Sequence, residues 1–194
     1  MAWDDLGMTG IVIVRPDDSW PAQYEKTARV VSELLGETAQ RIDHIGSTSV
    51  PRLPAKDIID MQVTVGTEPE LDDVVERMAA ADWEVRPPRR DHPVPGLPAD
   101  DLQWVKRILV EPMYRRRVNL HIRVAGRANQ RYALLFRDYL RNHPDTARAY
   151  GEFKIRAAAL PIESTAEYTD LKDPVCDLIY LPAEEWAART GWTA

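Results

Sequence analysis

The chain has 194 residues, 44% hydrophobic and 29% charged, which suits one domain with a real core and argues against wholesale disorder. No run of 18 apolar residues occurs, so no membrane span is expected, and the opening MAWDDLGMTG lacks the basic flank and apolar stretch of a signal peptide. A net charge of -6 disfavours nonspecific nucleic-acid binding, while the single cysteine, Cys176, excludes an internal disulfide or a cysteine metal cluster and makes a cytoplasmic location the expectation.

In chain order, Ile11 to Arg15 reads as a short strand ended by Pro16. Ser19 is placed to cap a helix that tolerates Pro21 in its first turn. Tyr24, Ala28, Val31, Leu34 and Leu35 recur at helical spacing, and Gly36 closes the helix. Ala39 to Ile45 reads as a second strand. The stretch HIGSTSVPRLPAKDIID, His44 to Asp60, then offers a Gly-Ser turn, two prolines and an apolar run that carries one acid. Asp57 to Val65 is the clearest strand. Alternation puts Ile59, Met61, Val63 and Val65 on one face, and Ile58, Asp60, Gln62 and Thr64 on the other.

A helix from about Glu68 to Ala81 and a short strand at Trp83 to Val85 follow. Pro87 to Asp101 holds five prolines and a glycine and reads as a long loop. Leu102 to Val110 and Arg117 to Val124 read as a hairpin pair. From Ala128 the pattern is helical: Gln130 to Asn142, then Pro144 to about Leu160. A third helix begins over Glu163 to Lys172, and Pro174 should kink or interrupt it, with Pro182 dividing the tail again. The expected architecture is α+β, a mixed β-sheet flanked by helices with a helical C-terminal part. It forms one domain over 1–194, with an α/β core over about 11–126 and a helical subdomain over about 127–194.

The polar faces of two strands carry the candidate chemistry. Asp60 and Gln62 point one way; in VNLHIRV, Asn119, His121 and Arg123 share one face. If these strands are neighbours, Asp60, Gln62, His121 and Arg123 converge into a patch able to hold a metal and a phosphate. The plainer reading is the wet face of a one-sided sheet. A Gly-Ser turn offers backbone N–H groups and a hydroxyl to a phosphate, and Gly46 permits a positive φ. Asp57, three residues before Asp60, faces the other way and reads as a strand-entry residue.

On the helices, Tyr150 and Lys154, and Tyr168 and Lys172, are four apart and share a face. Each pair reads as a phosphate grip beside a stacking ring, or as a lysine snorkelling past a half-buried tyrosine. Arg137 and Arg141 form another such pair, with Asp138 off their face. Arginines cluster at 89–90, 115–117, 123 and 127, which suits a small polyanion or a solvated basic face. His92 has no partner in spacing, and His143 reads as a helix cap. Zinc spacing, a P-loop and a dinucleotide fingerprint are all absent from the sequence, and Ser47 lacks the G-x-S-x-G frame of a hydrolase elbow. The six tryptophans, Trp3 among them, are scattered and read as packing residues.

HIGSTSVPRLPAKDIID closely resembles the signature of the GrpB family. LHIRV is similar to that family's later histidine strand, and FRDYLRNHPDTARAYGEFK resembles its helical segment. The three motifs occur in order, and the resemblance covers roughly residues 11 to 175. It implies a nucleotidyltransferase-like fold, in which a Gly-Ser turn is followed by two acids two apart that hold magnesium and align a triphosphate. Carried over residue by residue, it points to Gly46, Ser47, Lys56, Asp60, His121, Arg137 and Lys154. Gln62 stands where the wider superfamily has its second acid. A GrpB-like domain is joined in some proteins to dephospho-CoA kinase, where an accessory folding role has been suggested; this chain has no kinase P-loop.

The resulting expectation is magnesium-dependent nucleotidyl transfer from a nucleoside triphosphate to an unknown small-molecule or protein acceptor. Gly46, Ser47 and Thr48 would seat the triphosphate. Asp60, Gln62 and His121 would meet the metal, with His121 as ligand or general base. Lys56, Arg123, Arg137, Lys154 and Lys172 would bind phosphate. The alternative, favoured by Gln62, is a catalytically degenerate module that binds a nucleotide, a CoA-related molecule or a protein partner.

Overall fold

The computed structural model describes residues 11–111 and 116–194. The readings of the N-terminal decapeptide, of Trp3 and of Arg115 lie outside them. Helices α1 (Trp20–Leu35) and α2 (Pro69–Ala80), strands β1 (Arg41–Ile45), β2 (Ile59–Val65), β3 (Glu84–Val85), β4 (Arg89–Arg90), β5 (Val105–Val110) and β6 (Val118–Val124) make the first part. Helices α3 (Ala128–Asn142), α4 (Pro144–Ala158) and α5 (Thr165–Thr190) follow. The sheet runs β1-β2-β6-β5-β3, with β4 against β5. β2 and β6 are parallel, and the other pairings are antiparallel. No helix among the described residues is long and apolar enough to cross a membrane.

The alternation in β2 holds. Ile59, Met61, Val63 and Val65 are fully buried and pack with Leu120 and Ile122 of β6 against α1 and α2. The opposite face is not wet. Helices α3 to α5 cover it, around a second core containing Leu135, Tyr150, Ile179 and Tyr180. Thr64 and Gln62 are therefore buried too. A cleft between the sheet and these helices remains, and it is where the candidate residues meet.

Three local expectations are corrected. The strand at Ile11 to Arg15 shrinks to one bridge, Val14 to Ala55. Its partner segment holds Pro51 and Pro54, which lack the N–H groups a ladder needs. α5 runs unbroken through Pro174 and Pro182. Each proline removes one helical donor, a loss of about 3 kcal/mol in a free helix, but burial of Tyr168, Cys176, Ile179, Tyr180, Ala183 and Ala187 holds the rod together. Ser19 does not cap α1 with its side chain; its hydroxyl accepts from Gln23 Nε2 instead. The 87–101 loop is built rather than loose, because Val94 and the neighbouring Trp104 are inserted into the second core.

Candidate functional site

The turn after β1 is where backbone freedom matters. Gly46 has φ +67°, and a Cβ there would lie 2.5 Å from Asp60 Oδ2. Only glycine lets the turn and the Asp60 carboxylate stand side by side. Ser47–Ser49 form a single 3₁₀ turn, braced from behind. Ser49 Oγ donates to Gly46 O at 2.6 Å, His44 Nε2 meets Thr48 Oγ1 at 3.0 Å, and Arg141 donates twice to Ser49 O. The His44 ring stacks on Tyr24. Burial, helped by Arg141 and Arg137 against Asp60, pushes His44 down to about 4, so it is neutral near pH 7.

Arg137 belongs to this brace and not to the cleft. Its guanidinium pairs with Asp138 at 2.7 Å and Asp43 at 3.3 Å and donates to His44 O. It is buried outside the cleft lining, where Asp43 and Asp138 are shared among Arg41, Arg137 and Arg141. Asp138 was expected to be off its face, but the long guanidinium folds back to reach it.

On the sheet side, the parallel register sets Asp60 beside Asn119 and Gln62 beside His121. Asn119 Nδ2 donates to Asp60 Oδ1 at 3.0 Å, and His121 Nε2 lies 3.6 Å from the same oxygen. Burial pushes the Asp60 carboxyl up, but His121, Asn119 and Lys56 together outweigh it and hold it below its ordinary value. Burial also dominates at His121, where Lys106 and Arg123 add to it and the contact with Asp60 opposes it; the net direction is down.

Gln62 is turned away from the cleft. Its Oε1 accepts from Arg123 Nη1 at 2.7 Å, and its Nε2 donates to Gln130 O at 3.2 Å. Arg123 in turn grips Asp91 Oδ2 through Nε and Nη2, both at 3.0 Å. Lys106 Nζ and Asn129 Nδ2 hold the same carboxylate. Despite burial, Arg123 and Lys106 drive Asp91 far below the usual carboxylate range. Gln62 is thus a buried bridge to α3, and Arg123 shares the single charge of Asp91 with Lys106. Asp91 itself, in the proline-rich loop, carried no signal in sequence.

The donor set does not fit a resident magnesium ion. Mg²⁺ demands octahedral oxygen ligands, usually from carboxylates and substrate phosphates. Among the described residues, Asp60 is the carboxylate that stands against the turn. Asn119 could add only a neutral amide oxygen, and His121 offers nitrogen. Among the described residues, no three His, Cys, Asp or Glu side chains are grouped to hold a metal.

The helical side supplies the cations. Lys154 is only 3% exposed. Its Nζ donates to Ser47 Oγ at 2.8 Å and to Pro54 O, and sits 4.8 Å over the Tyr150 ring. Burial first, then the charge of Lys172, pulls it down to about 7. Gly151 makes the approach possible, since a Cβ there would lie 2.9 Å from Pro54 Cδ. Lys154 therefore does not snorkel to solvent, and Tyr150 packs edge-on against Phe136 rather than offering a free face. Lys56 Nζ lies over the Tyr168 ring at 5.6 Å, and Lys172 lines the same cleft.

The cleft has a volume of about 770 Å³ and, among the described residues, is lined by nine lysines and arginines against five aspartates. It is thus locally basic on an acidic chain. The other readings resolve simply. Asp57 accepts from Trp20 Nε1 and pairs with Arg116 at the strand entry. His92 finds Asp177 of α5 at 3.1 Å, a partner no sequence spacing disclosed. His143 caps α3 through Tyr139 O at 2.7 Å.

Residues 10–181 match the family model described as GrpB protein. The chain is 34% identical over 197 residues to a dephospho-CoA kinase of Mycolicibacterium paratuberculosis, covering 93% of this chain and 47% of that protein. It is 32% identical over 177 residues to a UPF0157 protein of Pseudomonas aeruginosa, covering 89% and 67%. The crystal structure of GrpB from Enterococcus faecalis matches with a TM-score of 0.71 at 28% identity, over 90% of this chain and 99% of that one. The chain belongs to the GrpB family. It spans about half the length of the dephospho-CoA kinases it matches. Cid1 in complex with its short product ApU aligns at 10% identity and a TM-score of 0.47, a distance that carries no functional inference.

Proposed function

We propose that the cleft binds a phosphorylated small molecule, a nucleoside triphosphate or a CoA-related nucleotide, without a metal held by the protein. The phosphates would lie against the Gly46–Ser47–Thr48 turn, with Lys154, Lys172 and Lys56 as their cations. The observation that carries this reading is Lys154. A buried ammonium normally has a carboxylate partner. Among the described residues the direct partners of Lys154 are a hydroxyl, a carbonyl and a ring, while Lys172 adds like charge. An anion at Ser47 supplies what is missing. Isothermal titration with tripolyphosphate in EDTA tests it, with ATP and CoA beside it to show which nucleotide is preferred: wild type binds tripolyphosphate, and Lys154→Met binds it at least about tenfold more weakly. Equal binding by both proteins overturns it.

A second reading, nucleotidyl transfer to a hydroxyl or amine acceptor, is favoured by Asp60. Its carboxylate stands beside the turn and would repel a bare phosphate. A triphosphate that arrives as its magnesium complex brings the compensating cation, with the phosphates as most of its ligands. Affinity that requires magnesium, loss of that requirement in Asp60→Asn, and pyrophosphate release with an acceptor would favour it over simple binding. The net acidity of the chain leaves nucleic acid the least suitable acceptor.

A further inference from the structure

Ser47 Oγ and Lys154 Nζ meet at 2.8 Å in the cleft although 107 residues separate them in sequence. A hydroxyl within hydrogen-bond reach of a base, with the base fixed by a third group, is the arrangement that activates a nucleophile. Serine–lysine pairs are one of its forms. Here the third groups are the Pro54 carbonyl, which accepts from Nζ, and the Tyr150 ring beneath it. The bare Cα of Gly151 lets α4 come close enough.

We infer that Ser47 is a nucleophile with Lys154 as its general base, and that the pair transfers an acyl group from a phosphate-bearing ester or thioester. Neutral Nζ takes the Oγ proton as Oγ bonds to the carbonyl carbon. The ammonium then protonates the departing alkoxide or thiolate as the C–O or C–S bond breaks. Water then bonds to the acyl carbon, losing a proton to the same amine, and the bond from that carbon to Oγ breaks as the ammonium returns the proton to Oγ, which releases the acid and restores Ser47 and the neutral amine. The step needs no oxidant, reductant or metal.

The groups facing Nζ permit this cycle. Burial and Lys172 of α5 favour the free amine, whereas Cys176 of α5 and Asp60 of β2 favour the ammonium. The balance near pH 7 populates both. Tyr150 is pushed well above the ordinary phenol range by burial and Cys176, so it stays protonated. The inference rests on the anion-binding reading only for how the donor is seated: its phosphates would take Lys56 and Lys172 while its carbonyl takes the place at Ser47, because an anion on Lys154 itself would hold the ammonium and block the cycle.

An uncharged fluorophosphonate reports on an activated serine without needing phosphate binding. Intact mass and peptide mapping should find one adduct, at Ser47, absent from Ser47→Ala. Its rate should rise roughly tenfold from pH 6 to 8 and fall roughly 100-fold in Lys154→Arg, which keeps the charge but cannot act as the base. Failure to label Ser47, or labelling unchanged in Lys154→Arg, overturns the inference. A flat wild-type profile from pH 6 to 8 overturns it whatever the variant does. Tripolyphosphate should slow labelling. Labelling indifferent to tripolyphosphate keeps the pair and removes the anion reading; calorimetric tripolyphosphate binding without labelling does the reverse.

Discussion

Replacing Lys154 by methionine removes a buried ammonium while keeping a side chain of similar reach. In the folded chain the amine titrates near 7 against an ordinary 10.5, because burial and Lys172 oppose its charge. In the unfolded chain it returns to the ordinary value. The unfolded state therefore binds more protons between these two limits, and stability rises with pH across the window. Below pH 7 both states carry the charge and the penalty is complete; above about 10.5 neither does. The full gap corresponds to roughly 4–5 kcal/mol. Urea unfolding at pH 7 and pH 9.5 should show wild type gaining about 3 kcal/mol relative to Lys154→Met. Because the comparison is between two proteins, titrating groups that do not interact with Lys154 cancel. A wild type with no such gain, or a variant that retains it, refutes the buried ammonium without a carboxylate partner.

Gly46→Ala should cost about 1–3 kcal/mol, since its Cβ meets Asp60 and its φ is positive; chemical denaturation measures the loss, and an unchanged midpoint contradicts the tight approach. Asp91→Ala strands Lys106 and Arg123 in the protein and should cost about 3–5 kcal/mol, again read by denaturation. Gln62→Glu adds a second acid two residues after Asp60 in sequence but not in the cleft, so calorimetry should detect no gain in magnesium affinity. A gain would mean that the side chain reaches the cleft.

Much of this was legible in the sequence, and the reasons for the gaps are specific. Period-two alternation correctly divided β2 and β6 into two faces, and the quoted motifs correctly indicated the family. Alternation says which side a residue points to, not what covers that side. Helices α3 to α5 turn the supposed wet face into a second interior, which is why Gln62 became a bridge. Lys154 and Ser47 meet through a helix packing that no periodicity encodes, and Gly151 was the available hint. Asp91 and His92 sit in a proline-rich loop where local pattern says only that the chain turns. Pro174 and Pro182 misled because local propensity was outweighed by the packing of α5.

Isothermal titration of tripolyphosphate into wild type and Lys154→Met, in EDTA at pH 7, tests the central claim most directly. An anion cleft built on Lys154 predicts binding by wild type and an affinity at least about tenfold weaker in the variant, a difference of roughly 1.4 kcal/mol. Absence of wild-type binding, or equal affinity in both proteins, would contradict it.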